Sequence, residues 1–133
     1  MPRNISFSMT TKQFLDNSKT VTRRLGWWDL KAGDVLYAVE KGMGLKKGEK
    51  VKRLGLIMIV SVRRERLDSI TAVDVSHEGY PDMWPSGFVE MFCQSHKCKP
   101  DAWVNRIEFK KLDNEGILNL NAKKRNFHLL YNL

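Results

Sequence analysis

Leu54–Val62 is the strongest strand signal in the chain, and any fold has to be arranged around it. The stretch is rich in Ile and Val, whose branched side chains are stiff at χ1 and favour extended backbone. It is broken by Gly55 and gives way to the polar run Arg63-Arg64-Glu65-Arg66. No window approaches the roughly 18 apolar residues that a membrane span requires. The turn Lys31-Ala32-Gly33-Asp34 precedes a second buried strand over Val35–Val39, and Trp103, Ile107 and Phe109 alternate with polar residues in a last strand running to about Leu112. Ile5–Phe7 is short and β-compatible.

The intervening segments carry helix signals. Thr10-Thr11-Lys12-Gln13 has the form of a capping box, followed by Phe14 and Leu15 on one apolar edge. That helix is expected to last about two turns and to stop near Asn17-Ser18, because Asn tolerates the left-handed conformation that ends helices. Asp68 or Thr71 can cap a short helix carrying Ile70 and Val73. Pro85 stands where prolines begin helices, and Phe88, Val89, Phe92 and Cys93 then fall on one stripe, with Lys99-Pro100-Asp101 ending the element. Phe88 and Trp103 are expected in the core. Strands separated by short helices indicate a small α+β barrel. With 133 residues, the chain is one domain, large enough for a core without metals or disulfides.

Charge is unevenly spread. The net charge is +8, and residues 1–66 hold 15 Lys/Arg against 6 Asp/Glu. Residues 67–112 hold 5 against 7, and residues 113–133 hold 3 against 2. A basic half joined to a mildly acidic half fits a one-sided anion-binding surface, although charge alone fits a solubilising face equally well. Met1-Pro2-Arg3-Asn4 opens without an apolar signal region, so a soluble, cytoplasmic protein with no membrane partner is expected.

The segment Asn17-Ser18-Lys19-Thr20-Val21-Thr22-Arg23-Arg24 concentrates three cations and β-branched hydroxyls on extended backbone. Thr20, Thr22 and Arg24 point to one face, and Lys19, Val21 and Arg23 to the other. Arg supplies a bidentate fork and Lys a point charge, so the run can grip phosphate or carbonyl oxygens. It fits a solvated edge strand as well.

This segment resembles the signature of the ASCH family, roughly G-x-K-x-x-[E/T]-x-R, with Lys19, Thr22 and Arg24 at the motif positions and Asn17 in place of the usual glycine. Lys31 to Leu36, His77-Glu78-Gly79-Tyr80-Pro81 and the strand Arg106-Ile107-Glu108-Phe109 resemble further family features in the same order. The likeness covers about residues 3–112. It implies an α+β fold: a PUA-like small β-barrel with two to four flanking short helices, over residues 1–112. Residues 113–133 form an extension that is partly apolar, with Ile117, Leu118, Leu120, Phe127, Leu129, Leu130 and Tyr131. RNA or a modified nucleoside is the implied partner, with single-stranded DNA a further candidate. Small bacterial members resemble N4-acetylcytidine amidohydrolases, which implies catalytic roles for Lys19, Thr22 and Glu78. Thr22 would be the nucleophile, a Lys19 of depressed pKa the base, and Glu78 the proton donor to the departing nitrogen. Other members resemble ribonucleases, for which a divalent metal would serve; otherwise no cofactor is expected.

Arg23, Arg24, Lys46, Lys47, Tyr80, Trp28 and Trp84 are the candidate nucleic-acid contacts. Gly42, Gly44 and Gly48 mark the basic connection that carries the two lysines. Stacking on an aromatic ring contributes roughly 1–3 kcal/mol per base. Trp27 and Trp28 face opposite ways on extended backbone, so at most one lines a given pocket. Cys93, His96 and Cys98 have a C-x-x-H-x-C spacing, but a structural zinc needs four ligands and His77 would have to come from a distant loop, so no metal site is assigned. Cys93 fits the apolar stripe of its helix as an ordinary thiol. The rivals to a binding domain are therefore a hydrolase acting on an acylated cytidine, a metal-dependent ribonuclease, and a non-catalytic protein-interaction module docking through Lys46–Arg53.

Overall fold

The computed structural model describes residues 2–42, 45–119 and 121–122. Up to Lys111, five strands and three α-helices follow one another in the expected order: β1 Asn4–Ser6, α1 Thr11–Leu15, β2 Val21–Arg24, β3 Val35–Val39, β4 Arg53–Arg66, α2 Ala72–His77, α3 Pro85–His96 and β5 Trp103–Lys111. The strands form one sheet in the order β1-β3-β4-β5-β2, antiparallel except for the parallel β1–β3 pair. The Ile/Val-rich strand is the longest, at 14 residues. Its first half pairs with β3 and its second with β5, and a register shift between Ile59 and Ser61 bends it. Val60, at that shift, stays exposed while Ile57 and Ile59 are buried.

The bending curls the sheet into a barrel-like shape. β1 and β2 are its two edges, and Arg24 on β2 spans from one to the other by donating from Nη2 to the Ser6 carbonyl at 2.6 Å. Inside lies an apolar core that includes Phe7, Phe14, Ile57, Ile59, Ile107 and Phe109. The Phe7 and Phe14 rings stack with centroids 5.0 Å apart. A second core, built from Leu67, Ile70, Val75, Phe88, Phe92 and Val104, joins α2 and α3 to the outside of β5.

Several local expectations are corrected. Thr10 does precede α1, but its side chain makes no capping bond; the neighbouring Thr11 hydroxyl instead donates to the Phe7 carbonyl at 2.8 Å. The helix is one five-residue turn and a fraction, closed by Asn17 in the left-handed region at φ 69°. Thr71 rather than Asp68 caps α2, accepting from the Asp74 N–H. α3 ends at His96, earlier than Lys99, because Lys97 adopts φ 53°. Phe88 is buried, but Trp103 is 58% exposed, since it lies at the end of β5 beyond the cover of either core. Residues 114–119 are helical. The apolar cluster Phe127–Tyr131, Leu120 and Gly44 lie outside the described residues.

Candidate functional site

β2 is an edge strand, paired among the described residues only with β5. Thr22 and Arg24 share the barrel side with Ile107, opposite Thr22 in the β5 register. Lys19 and Arg23 turn toward the helical layer, where α2 ends at Glu78. The Lys19 Nζ donates to the Glu78 carboxylate Oε1 at 2.8 Å and to the Glu78 carbonyl at 2.9 Å. Arg23 donates to the other oxygen of the same carboxylate at 3.1 Å. Lys19 and Glu78 are 4% and 3% exposed, so this contact between residues 59 apart in sequence is a buried one.

Arg23 is the hub of a larger cluster. Besides Glu78, it donates to Glu65 at 2.6 Å and to Asp74 at 2.5 Å. Asp74 in turn accepts both a 2.6 Å and a 3.0 Å bond from Arg106. The sheet register explains why carboxylates must be here: Arg23, Arg106 and Arg63 lie directly opposite one another on β2, β5 and β4. Like charges in such a row repel unless anions separate them. The Arg23 Nε is buried without a partner among the described residues.

The electrostatic consequences follow from burial and pairing. Burial pushes the Lys19 ammonium below the ordinary lysine range, with Glu78 opposing that shift and Arg24 and Arg23 adding to it. The Arg106 guanidinium, with Arg23 beside it, holds the Asp74 carboxyl well below the usual carboxylate range. A carboxyl depressed in the folded state contributes stability that is complete above its unfolded pKa and declines as pH falls below that value. The domain should therefore lose stability in acid from about pH 4 downward. Melting temperature against pH for Asp74→Asn should be flatter over that window than for the unsubstituted protein. Parallel curves would remove Asp74 from the cause.

Gly79 lets the Glu78 loop approach so closely. It has φ +106°, and a Cβ there would lie 2.8 Å from the Gln13 Cβ and 3.6 Å from the Lys19 Cβ. Gly79→Ala should cost about 2–4 kcal/mol from backbone strain and overpacking together. Chemical denaturation measures this directly, and a change below 0.5 kcal/mol or so would contradict the close approach.

Lys19, Thr22, Arg23, Arg24, Glu78 and Tyr80 all line one cavity of about 310 Å³. Phe7, Phe88, Met91 and Phe92 supply an apolar and aromatic part of the same lining, with His96 stacked on Phe92 at a centroid separation of 4.0 Å. The other candidates stand elsewhere. Trp84 is 80% exposed and borders a separate hollow with Pro81 and Met83. Trp28 is exposed beneath the Arg64 guanidinium, 4.4 Å from its ring centre, while Trp27, at φ 59°, packs against the barrel core. Lys46 and Lys47 are exposed and do not line the cavity. Cys93 and Cys98 are free, half-buried thiols with sulfurs 3.9 Å apart.

Glu65 and Asp74 are the site residues that sequence patterns did not single out; Arg106, Gly79 and His96 stood there only within a closing strand, a family-like motif and an unassigned zinc spacing. Only tertiary placement reveals the roles of Glu65, Arg106 and Asp74, the first two through the sheet register and Asp74 through the packing of α2 against it. His96 had a local signal, standing one helical turn after Phe92 on the same stripe.

No protein-family model matches the sequence, and no curated protein matches it. Solved structures do share its fold. Protein EF3133 from Enterococcus faecalis V583, assigned to the family model DUF984, superposes with a TM-score of 0.62 over 85% of this chain and 81% of that one, at 16% identity. The hypothetical protein PH0355 superposes with a TM-score of 0.60 over 84% of this chain and 100% of that one, at 12% identity. At these identities the likeness establishes a fold class, a small barrel-like α+β domain with flanking helices, and no activity. Among the described residues no helix is long and apolar enough to cross a membrane.

Proposed function

We propose that this chain is an ASCH-like domain whose cavity binds a single nucleoside unit, either a free modified nucleoside or one unpaired nucleotide of an RNA. The observation that carries this is convergence. Lys19 and Thr22 come from one segment and Glu78 from another, 59 residues beyond Lys19, and all three line one cavity together with aromatic side chains. A base has an apolar face to stack and a polar edge to bond, and the cavity offers a wall for each. Its volume suits one nucleoside and not a duplex. The excess of Lys and Arg in residues 1–66 adds a long-range attraction for polyanions. Binding of short single-stranded RNA should therefore weaken steeply as salt rises, as counterion release demands. An affinity independent of salt, or no binding of RNA or nucleoside at all, would overturn this reading.

Hydrolysis of an acylated base is a second reading, and the burial of Lys19 is what favours it. In this reading a lysine pushed toward its neutral form takes up, at the cavity that both side chains line, the proton released as the Thr22 oxygen attacks an amide carbonyl. The proton then passes to the departing nitrogen, with Glu78, 2.8 Å from the Lys19 Nζ, placed to assist the transfer. Water completes the cycle by cleaving the acyl-threonine ester. A metal-dependent nuclease is not supported by the donor set. Glu65, Asp74 and Glu78 are all engaged by Lys19, Arg23 and Arg106, and no three His, Cys, Asp or Glu among the described residues are grouped to hold a metal ion.

A further inference from the structure

The charges around the cavity do not balance. Lys19, Arg23 and Arg106 are matched by Glu65, Asp74 and Glu78, each within 3.1 Å of at least one of those cations. Arg24 is the surplus. Its Nε donates to the Thr22 hydroxyl at 3.0 Å and its Nη2 to the Ser6 carbonyl at 2.6 Å, and both acceptors are neutral. Among the described residues no carboxylate oxygen lies within 4.0 Å of it, and both oxygens of nearby Glu78 are already taken by Lys19 and Arg23. Arg24 is half-buried; a guanidinium partly withdrawn from water without a counter-ion is costly, and that desolvation pushes Arg24 down to about 10. Yet it lines the cavity, with Lys41 on the same lining and Phe7 beneath it, 5.3 Å from guanidinium carbon to ring centre.

We infer that the ligand itself supplies the missing charge: the cavity takes a nucleotide whose phosphate sits on Arg24, in preference to a neutral nucleoside. This rests on the reading that the cavity holds a nucleoside unit. The guanidinium fork suits a tetrahedral or planar oxyanion, so a phosphate and a carboxylate present the same chemistry to Arg24. The phosphate is assigned because the aromatic wall and polar edge already fit a base. Arg24 would then do two things, joining the barrel's edges through Ser6 and fixing the ligand's anionic end, which leaves the base to reach Thr22 and Glu78.

Calorimetric titration of the full chain at constant ionic strength tests this with five probes: cytidine, cytidine 5′-monophosphate, cytidine 3′-monophosphate, inorganic phosphate and benzoate. One of the two monophosphates should bind at least roughly tenfold more tightly than cytidine, the size expected of a charge-assisted bond. Arg24→Lys should keep part of that preference, whereas Arg24→Met should abolish it, the quantity read being the ratio of monophosphate to cytidine affinity within each variant. Should the methionine variant fail to fold, the unsubstituted protein and the lysine variant still decide the matter. Equal affinity for cytidine and both monophosphates would overturn the inference while leaving the nucleoside reading intact. Binding of phosphate, lost in Arg24→Met, without any binding of cytidine would do the reverse. Benzoate ahead of every phosphate would overturn the phosphate assignment in favour of a carboxylate, and no binding by any probe would overturn the inference outright.

Discussion

Arg23→Met should destabilise the domain by about 3–5 kcal/mol, the usual result of removing one partner from a buried ionic cluster. The methionine replaces the volume but leaves anions behind. Glu78 retains Lys19 and Asp74 retains Arg106, but Glu65 loses its 2.6 Å partner and keeps only the exposed Arg63. The loss should appear as a fall of roughly 10–20 °C in Tm for a chain of this size. The size of the effect distinguishes this from a solvated-edge account of the Lys19–Arg24 run. Surface arginines change stability by about 0.5 kcal/mol at most when replaced. A Tm within 2 °C or so of the unsubstituted protein would mean that Arg23 is not buried among carboxylates.

The second large effect concerns chemistry. With N4-acetylcytidine or its monophosphate as substrate, Thr22→Ala should reduce turnover by at least roughly 10³-fold, as losing a nucleophile does, while ligand affinity changes only a few-fold. Thr22→Ser should retain measurable turnover because it keeps the hydroxyl. Lys19 must be neutral to take the Thr22 proton, so kcat/KM should rise with pH and level off below the ordinary lysine value, since burial lowers this amine. Turnover that survives Thr22→Ala would exclude the Lys–Thr–Glu mechanism. Ligand binding without turnover in the unsubstituted protein would leave the domain as a binding module.

The sheet and the α3 helix were legible in sequence because local chemistry and final burial agree there. Leu54–Val62, Val35–Val39 and the Phe88–Phe92 stripe are each apolar on the side that meets a core. The site was half legible. The alternation Lys19/Arg23 against Thr22/Arg24 follows from strand geometry, and the hydrogen bonds to Glu78 on one side and within β2 on the other accord with it. What no local pattern carried was the ionic cluster. Glu65 and Asp74 look like ordinary surface carboxylates until the register sets Arg23, Arg106 and Arg63 side by side. The same blindness to tertiary context put Trp103 in the core and Thr10 in a capping bond. It also grouped Arg23 with the open cations, whereas its guanidinium faces three carboxylates.

The cavity's role as a nucleoside site is most directly tested by residue-resolved NMR titration of the full chain with cytidine and its monophosphates. The account predicts that the largest shifts fall on Lys19, Thr22, Glu78, Phe92 and His96, the two walls of the cavity, with the surface tryptophan Trp28 and the lysines Lys46 and Lys47 little affected. Shifts confined to those surface residues, with Thr22 and Phe92 unmoved at saturating ligand, would contradict it.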